Sequence, residues 1–187
     1  MSLSPEEREF LLNLARESID CVAQDEDPPM IDMDAVPPGL QQSGASFVTL
    51  NNRGGLRGCV GSLEARRPLV LDVQQNGIGA AFRDPRFPPV QREEVDDLDI
   101  EISVLSSPER LDYDGPGELF NKLRPDVDGV VIELGWHRAT FLPQVWEKLP
   151  DKDQFLQRLC LKAGLSSDAY RSGDLDVYTY QVEKFKD

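Results

Sequence analysis

The 187-residue chain is short of the residues that build metal centres and covalent frameworks. It has one histidine, His137, and three cysteines, Cys21, Cys59 and Cys160, with no Cys-x-x-Cys pair. An odd, scattered cysteine set gives neither a disulfide framework nor a zinc ribbon. One histidine leaves a zinc or iron site with little beyond carboxylates, so no metal is expected. Long apolar runs are missing too. The longest charge-free stretch, residues 35–52, contains Pro37, Pro38, Gly39, Gln41, Gln42 and Asn51, whereas a membrane helix needs about 20 mostly apolar residues. The start, Met-Ser-Leu-Ser-Pro-Glu-Glu, has neither the basic nor the apolar segment of a signal peptide. A cytoplasmic protein with no membrane association is expected.

Positive charge is scarce. Twenty Lys+Arg against 34 Asp+Glu leave −14, which disfavours unaided capture of duplex nucleic acid or an anionic membrane. The charge is uneven, however. Residues 1–50 carry −8, whereas residues 51–92 carry +4, all seven of their cations being arginine. The rigid guanidinium fork suits carboxylate and phosphate. Either these arginines form a local anion site, or they pair with acids of the other segments.

What is present fits one soluble domain over residues 1–187, with 40% hydrophobic residues available for a core. Ser4, Pro5 and Glu7 compose a capping box ahead of an apolar helical stripe, Phe10, Leu11, Leu14, Ile19 and Val22. Cys21 is expected to pack there. Residues 24–38, with five acids and four prolines, read as an acidic connector. Strands are expected at 45–51 and 56–62 around the turn Asn52-Arg53-Gly54-Gly55, and at 98–104 by strict alternation. Pro68 opens a helix to Phe82, in which Gly77 and Gly79 imply close approach of another backbone. A short helix at 117–123, a hairpin around Gly135-Trp136, a helix from Asp151 to Lys162 stopped by Gly164, and one closing strand over 175–185 follow. Cys160 falls on the apolar stripe of its helix. The order of elements gives an α+β fold, largely antiparallel.

The most informative stretch is Leu56-Arg57-Gly58-Cys59-Val60-Gly61. Strand alternation puts Leu56, Gly58 and Val60 on the core side, with Arg57, Cys59 and Gly61 on the other, where glycines leave room for a ligand. A guanidinium beside a thiol favours the thiolate, the reactive form. A free cysteine can equally be a packing residue. Asp84-Pro85-Arg86-Phe87 is either an anion-binding Arg86 oriented by Asp84 or a salt-bridged turn. Glu133 and Asp128 are candidate bases or solvated strand carboxylates. Trp136, Trp146 and Phe141 are ring-stacking candidates, with packing the plainer reading. No phosphate-binding Gly-x-x-x-x-Gly-Lys loop occurs, and Gly77-Ile78-Gly79 lacks the strand-to-helix setting of a dinucleotide site. No cofactor is expected.

The hexapeptide 56–61, followed by Ala80-Ala81-Phe82-Arg83-Asp84-Pro85-Arg86-Phe87-Pro88-Pro89 and by Phe141-Leu142-Pro143-Gln144-Val145, resembles the AMMECR family, whose bacterial branch is the AmmeMemoRadiSam system protein A. The resemblance runs from about Ala45 to Gly164, with Val60 where isoleucine is commoner. It implies antiparallel sheets flanked by helices in two unequal lobes with a cleft between them, and a Memo-type protein and a radical-SAM protein as partners. It implies no settled reaction. RNA chemistry has been suggested for the family, and a nucleotide, or a nucleic acid held by a partner, stays open here.

Two functions are carried forward. In the first, an enzyme or substrate-handling subunit uses Cys59 on a small anionic or nucleotide-like substrate, with Arg57 tuning the thiol. Its substrate contacts are Arg53, Gly58, Gly61, Arg83, Asp84 and Arg86. His137 is a candidate catalytic partner, although a Cys59–His137 dyad lies outside the family motif. In the second, the chain is a non-catalytic module that docks a Memo-type or radical-SAM partner.

Overall fold

The computed structural model describes residues 2–187 and contains two compact units, each with its own sheet and core. The first takes the chain through Ser106 together with Glu183–Asp187; the second is Ser107–Val182.

In the first unit, α1 (Pro5–Ala23) starts as its sequence requires. The Ser4 hydroxyl accepts from the Glu7 amide, and the Glu7 carboxylate accepts from the Ser4 amide. Its buried face is Leu11, Leu14, Ala15, Ser18 and Ile19. The connector is irregular apart from two short 3-10 turns, Met33–Ala35 and Pro38–Gln41. The sheet has the order β2 (Gly55–Gly61), β1 (Ser43–Asn52), β4 (Leu98–Leu105), β9 (Val182–Lys186), and the two-residue β3 (Arg67–Pro68) pairs with the start of β1. Beneath it runs α2 (Leu69–Phe82), its Gly77 against Ala15 of α1. The core joins Leu11 and Ile19 of α1, Val70 and Val73 of α2, Val48 and Leu50 of β1, and Ile100 and Ile102 of β4.

One buried acid ties α2 to the sheet. The Asp72 carboxylate accepts from the Ser46 amide and hydroxyl, the Ser62 hydroxyl and the Asn76 side-chain amide. Arg67 lies 3.5 Å away. A buried carboxylate with this many donors costs little, because each lost water contact is replaced.

The second unit is a four-stranded antiparallel sheet, β5 (Glu109–Arg110), β8 (Asp176–Tyr180), β6 (Gly129–Leu134), β7 (His137–Phe141), with α3 (Gly115–Lys122) and α4 (Lys152–Lys162). Asp151 caps α4 by accepting from the Gln154 amide, and Gly164, at φ +76°, follows its end. Trp146 stacks on Phe155 at 3.5 Å, and Phe141 meets the Phe155 ring edge-on at 5.3 Å. Cys160 is fully buried in this core, as its place on the apolar stripe requires.

The fold is α+β with antiparallel sheets, as the order of elements implies. The expected single closing strand is two. It breaks at Gln181, so that β8 completes one sheet and β9 the other. Alternation reports that a segment is extended but not which strand it pairs with. Among the described residues no helix is long and apolar enough to cross a membrane.

Candidate functional site

The site grows from the β1–β2 hairpin. Arg53 and Gly54 form its two-residue turn, both with left-handed φ (51° and 79°), the requirement of a type I′ turn. The register then slips. Asn51 pairs with Leu56 but Leu50 pairs with Gly58, so Arg57 is an extra residue, a β-bulge. Beyond the bulge the alternation is regular. Gly58 lies so close to α2 that a Cβ there would sit 2.0 Å from the Ala80 carbonyl oxygen, and Val60 packs against the core.

The bulge corrects two expectations. Leu56 is not a core residue but 45% exposed, because the extra residue puts it out of phase with Gly58 and Val60. Nor do the glycines leave space for a ligand. Gly58 makes room for the Ala80 carbonyl, and a Cβ at Gly61 would fall 2.2 Å from the Phe47 ring.

Cys59 is half-buried on this edge strand, and both of its backbone groups are engaged. Its amide donates to the Asp84 carboxylate at 2.9 Å, while Arg86 Nη2 donates to its carbonyl at 3.4 Å. Asp84 and Arg86 are themselves paired, with Arg86 Nη2 2.6 Å from Asp84 Oδ2 and Nε 2.9 Å from Oδ1. Hydrogen bonds from the Arg86 side chain, then from the Cys59 amide, hold the Asp84 carboxyl well below the usual carboxylate range. The same bond to Asp84 raises the Arg86 pKa, against an opposing effect of desolvation. The Asp84–Arg86 turn is therefore salt-bridged, and it also caps the open edge of β2. At the side chain, the Thr49 hydroxyl donates to Cys59 Sγ at 3.3 Å.

Arg57 does not join this thiol. Its Nε and Nη2 donate to the two carboxylate oxygens of Glu94 at 2.9 and 3.0 Å, and Nη1 donates to the Pro88 carbonyl at 2.9 Å. With 12% of its side chain exposed, it works as a staple between β2 and the segment after α2. Arg57 in turn lowers the Glu94 pKa, against the effect of burial. Arg53 is exposed at the hairpin tip, 3.6 Å from Asp97. Arg83 is exposed and makes no ion pair among the described residues.

The remaining candidates lie in the second unit. His137 opens β7, with Nδ1 2.8 Å from the Ala163 carbonyl at the end of α4. Glu133 is paired with Arg138. Asp128 is buried rather than solvated. Burial opposes its ionisation, but the Arg124 side chain and amide and the Gln181 side chain outweigh it, so its carboxyl titrates low. Trp146 is a core residue, as packing predicts, but Trp136 is fully exposed at the Gly135-Trp136 turn. Among the described residues no group of three or more His, Cys, Asp or Glu side chains could hold a metal ion.

Sequence reasoning missed Thr49, Glu94 and Pro88. Counting back from the two-residue turn places Thr49 opposite Gly58; only the bulge brings it opposite Cys59. The contact of Glu94 with Arg57 spans 37 residues and has no local signature.

The fold and site define an α+β protein of two units, with a half-buried thiol on a bulged edge strand whose backbone is fixed by an Asp–Arg pair. The AMMECR1 family profile matches residues 12–185, and the chain belongs to this family. It is 42% identical over 153 residues to a protein of Methanothermobacter thermautotrophicus, covering 81% of this chain and 80% of that one. It is 38% identical over 201 residues to a protein of Thermofilum pendens, covering 98% and 91%. The crystal structure of the uncharacterised protein PH0010 from Pyrococcus horikoshii superposes with a TM-score of 0.80 at 36% identity, over 99% of this chain and 93% of that one.

Proposed function

We propose that the protein is an enzyme, or the substrate-handling subunit of one, that uses the Cys59 thiol on a small anionic or nucleotide-like molecule. The observation that carries this reading is the state of Cys59. The residue is half-buried on an edge strand, its amide and carbonyl both engaged by the Asp84–Arg86 pair and its sulfur met by the Thr49 hydroxyl. The backbone partners would serve any residue at this strand edge, so the weight falls on the hydroxyl set against the sulfur, since a nucleophile profits from being held still. Because Arg57 is committed to Glu94 and Arg86 to Asp84, the cationic contact for an anionic substrate falls first to Arg83, which is exposed and unpaired among the described residues.

The other two cysteines supply the comparison. Burial pushes the Cys160 thiol up, and partial burial together with Glu17, Glu26 and Asp20 does the same for Cys21. Peptide-resolved iodoacetamide labelling of the native protein at neutral pH should therefore modify Cys59 first. Labelling of Cys59 no faster than Cys160 would favour the second reading, a module that docks a Memo-type or radical-SAM partner. For that reading the relevant feature is Leu56, an exposed apolar side chain at the head of the motif.

A further inference from the structure

We infer that Thr49 is the positioning residue for the Cys59 sulfur, a role that rests on the use of Cys59 proposed above. Three features of the sheet lead to it. The Cys59 amide points outward to Asp84, so Cys59 and Thr49 face each other as a non-hydrogen-bonded pair. That pair has the shorter of the two antiparallel spacings, about 4.5 Å between Cα atoms, and the closer side chains. Thr49 lies between the fully buried Val48 and Leu50, so pleating puts its side chain on the face opposite the core, the face of Cys59. Threonine is branched at Cβ, which restricts χ1 and keeps the hydroxyl where the backbone puts it.

The hydroxyl has one proton to give. On its other side, Thr49 pairs in register with Glu101 of β4, whose carboxylate is only an acceptor. The Thr49 hydroxyl nonetheless donates to Sγ, and no hydrogen bond joins it to Glu101 among the described residues. With its backbone held by Asp84 and Arg86, Cys59 has its remaining freedom in the side-chain torsion, and Thr49 fixes it. When the sulfur attacks an electrophile as thiolate, the same hydroxyl supplies a charge-assisted hydrogen bond.

The test uses the full chain and iodoacetamide. Thr49→Val preserves branching and volume and removes only the donor, while Thr49→Ser restores a donor on a smaller side chain. Losing one hydrogen bond of modest strength to the attacking sulfur slows its alkylation by about threefold. Cys59 labelling should therefore slow about threefold in Thr49→Val and recover in Thr49→Ser, with Cys160 labelling unchanged as the check on folding. Fast Cys59 labelling in wild type with no slowing in Thr49→Val would overturn the role of Thr49 and leave the use of Cys59 standing. Slowing that serine does not rescue would assign the effect to packing and overturn it as well. If wild-type Cys59 reacts no faster than Cys160, the use of Cys59 fails, and the role of Thr49 with it.

Discussion

Two glycines of the first unit look alike in sequence and differ in what surrounds them. At Gly58 an added methyl would lie 2.0 Å from the Ala80 carbonyl oxygen, and a helix backbone cannot turn aside as a side-chain end can. At Gly77 the nearest atom is the Ala15 Cβ at 3.6 Å, an ordinary contact, and the position is interior to α2. Alanine in a helix interior is better than glycine by about 0.8–1 kcal/mol. Gly58→Ala should therefore destabilise the protein by about 2–4 kcal/mol, whereas Gly77→Ala should leave it unchanged or more stable. Urea denaturation of the two variants beside wild type checks the pair. A Gly58→Ala midpoint equal to wild type would mean that α2 and β2 can separate without loss.

At the scale of elements, the segment after α2 is a cover for the β2 edge, and Asp84 is its main attachment. The carboxylate accepts from the Cys59 amide, the Arg86 amide and the Arg86 guanidinium. Because its folded pKa lies below the ordinary value of an aspartate, its ionised form stabilises the fold. That contribution is complete above the unfolded value of about 3.9 and is lost as pH falls from there toward the lower folded value. Asp84→Asn keeps an acceptor oxygen but has no such titration. Between about pH 6 and pH 3 its urea midpoint should fall less steeply than that of wild type. Parallel slopes would remove Asp84 from the acid sensitivity of the fold.

The same elements show what the sequence made legible. The start of α1, the span of α4 and the β6–β7 turn follow from capping residues, apolar spacing and glycine, all local signals. Residue types mark the chemistry-bearing peptide, but strict alternation does not describe its geometry. A single extra residue, Arg57, shifts the phase of the strand, exposing Leu56 and bringing Thr49 opposite Cys59. Alternation has no means of announcing a bulge, and the carboxylate that holds Arg57 is 37 residues away. Helix ends are decided by neighbours in sequence, whereas strand partners and ion pairs are decided by tertiary contact.

For the whole molecule the question is where positive charge is free to act. Of the seven arginines in residues 51–92, Arg53, Arg57, Arg66, Arg67 and Arg86 each lie within ion-pair distance of a carboxylate. Arg83 and Arg92 are exposed and unpaired among the described residues. Only two of the partners, Glu94 and Asp97, lie outside the segment, so its +4 falls to +2, the charge of Arg83 and Arg92, inside a chain of net −14. Duplex DNA, whose capture depends on releasing counterions to several free cations, should give no measurable anisotropy change at about 0.15 M salt. A small anion asks less, since one guanidinium can hold it. Phosphate should therefore raise the melting temperature slightly, and Arg83→Ala should remove the increment. Arg57→Ala should lower the melting temperature in buffer, by unpairing Glu94, yet keep the increment on adding phosphate. If Arg57→Ala abolished the increment and Arg83→Ala did not, the anion would be competing with Glu94 for Arg57, and the cationic contact proposed for the substrate would move back to β2.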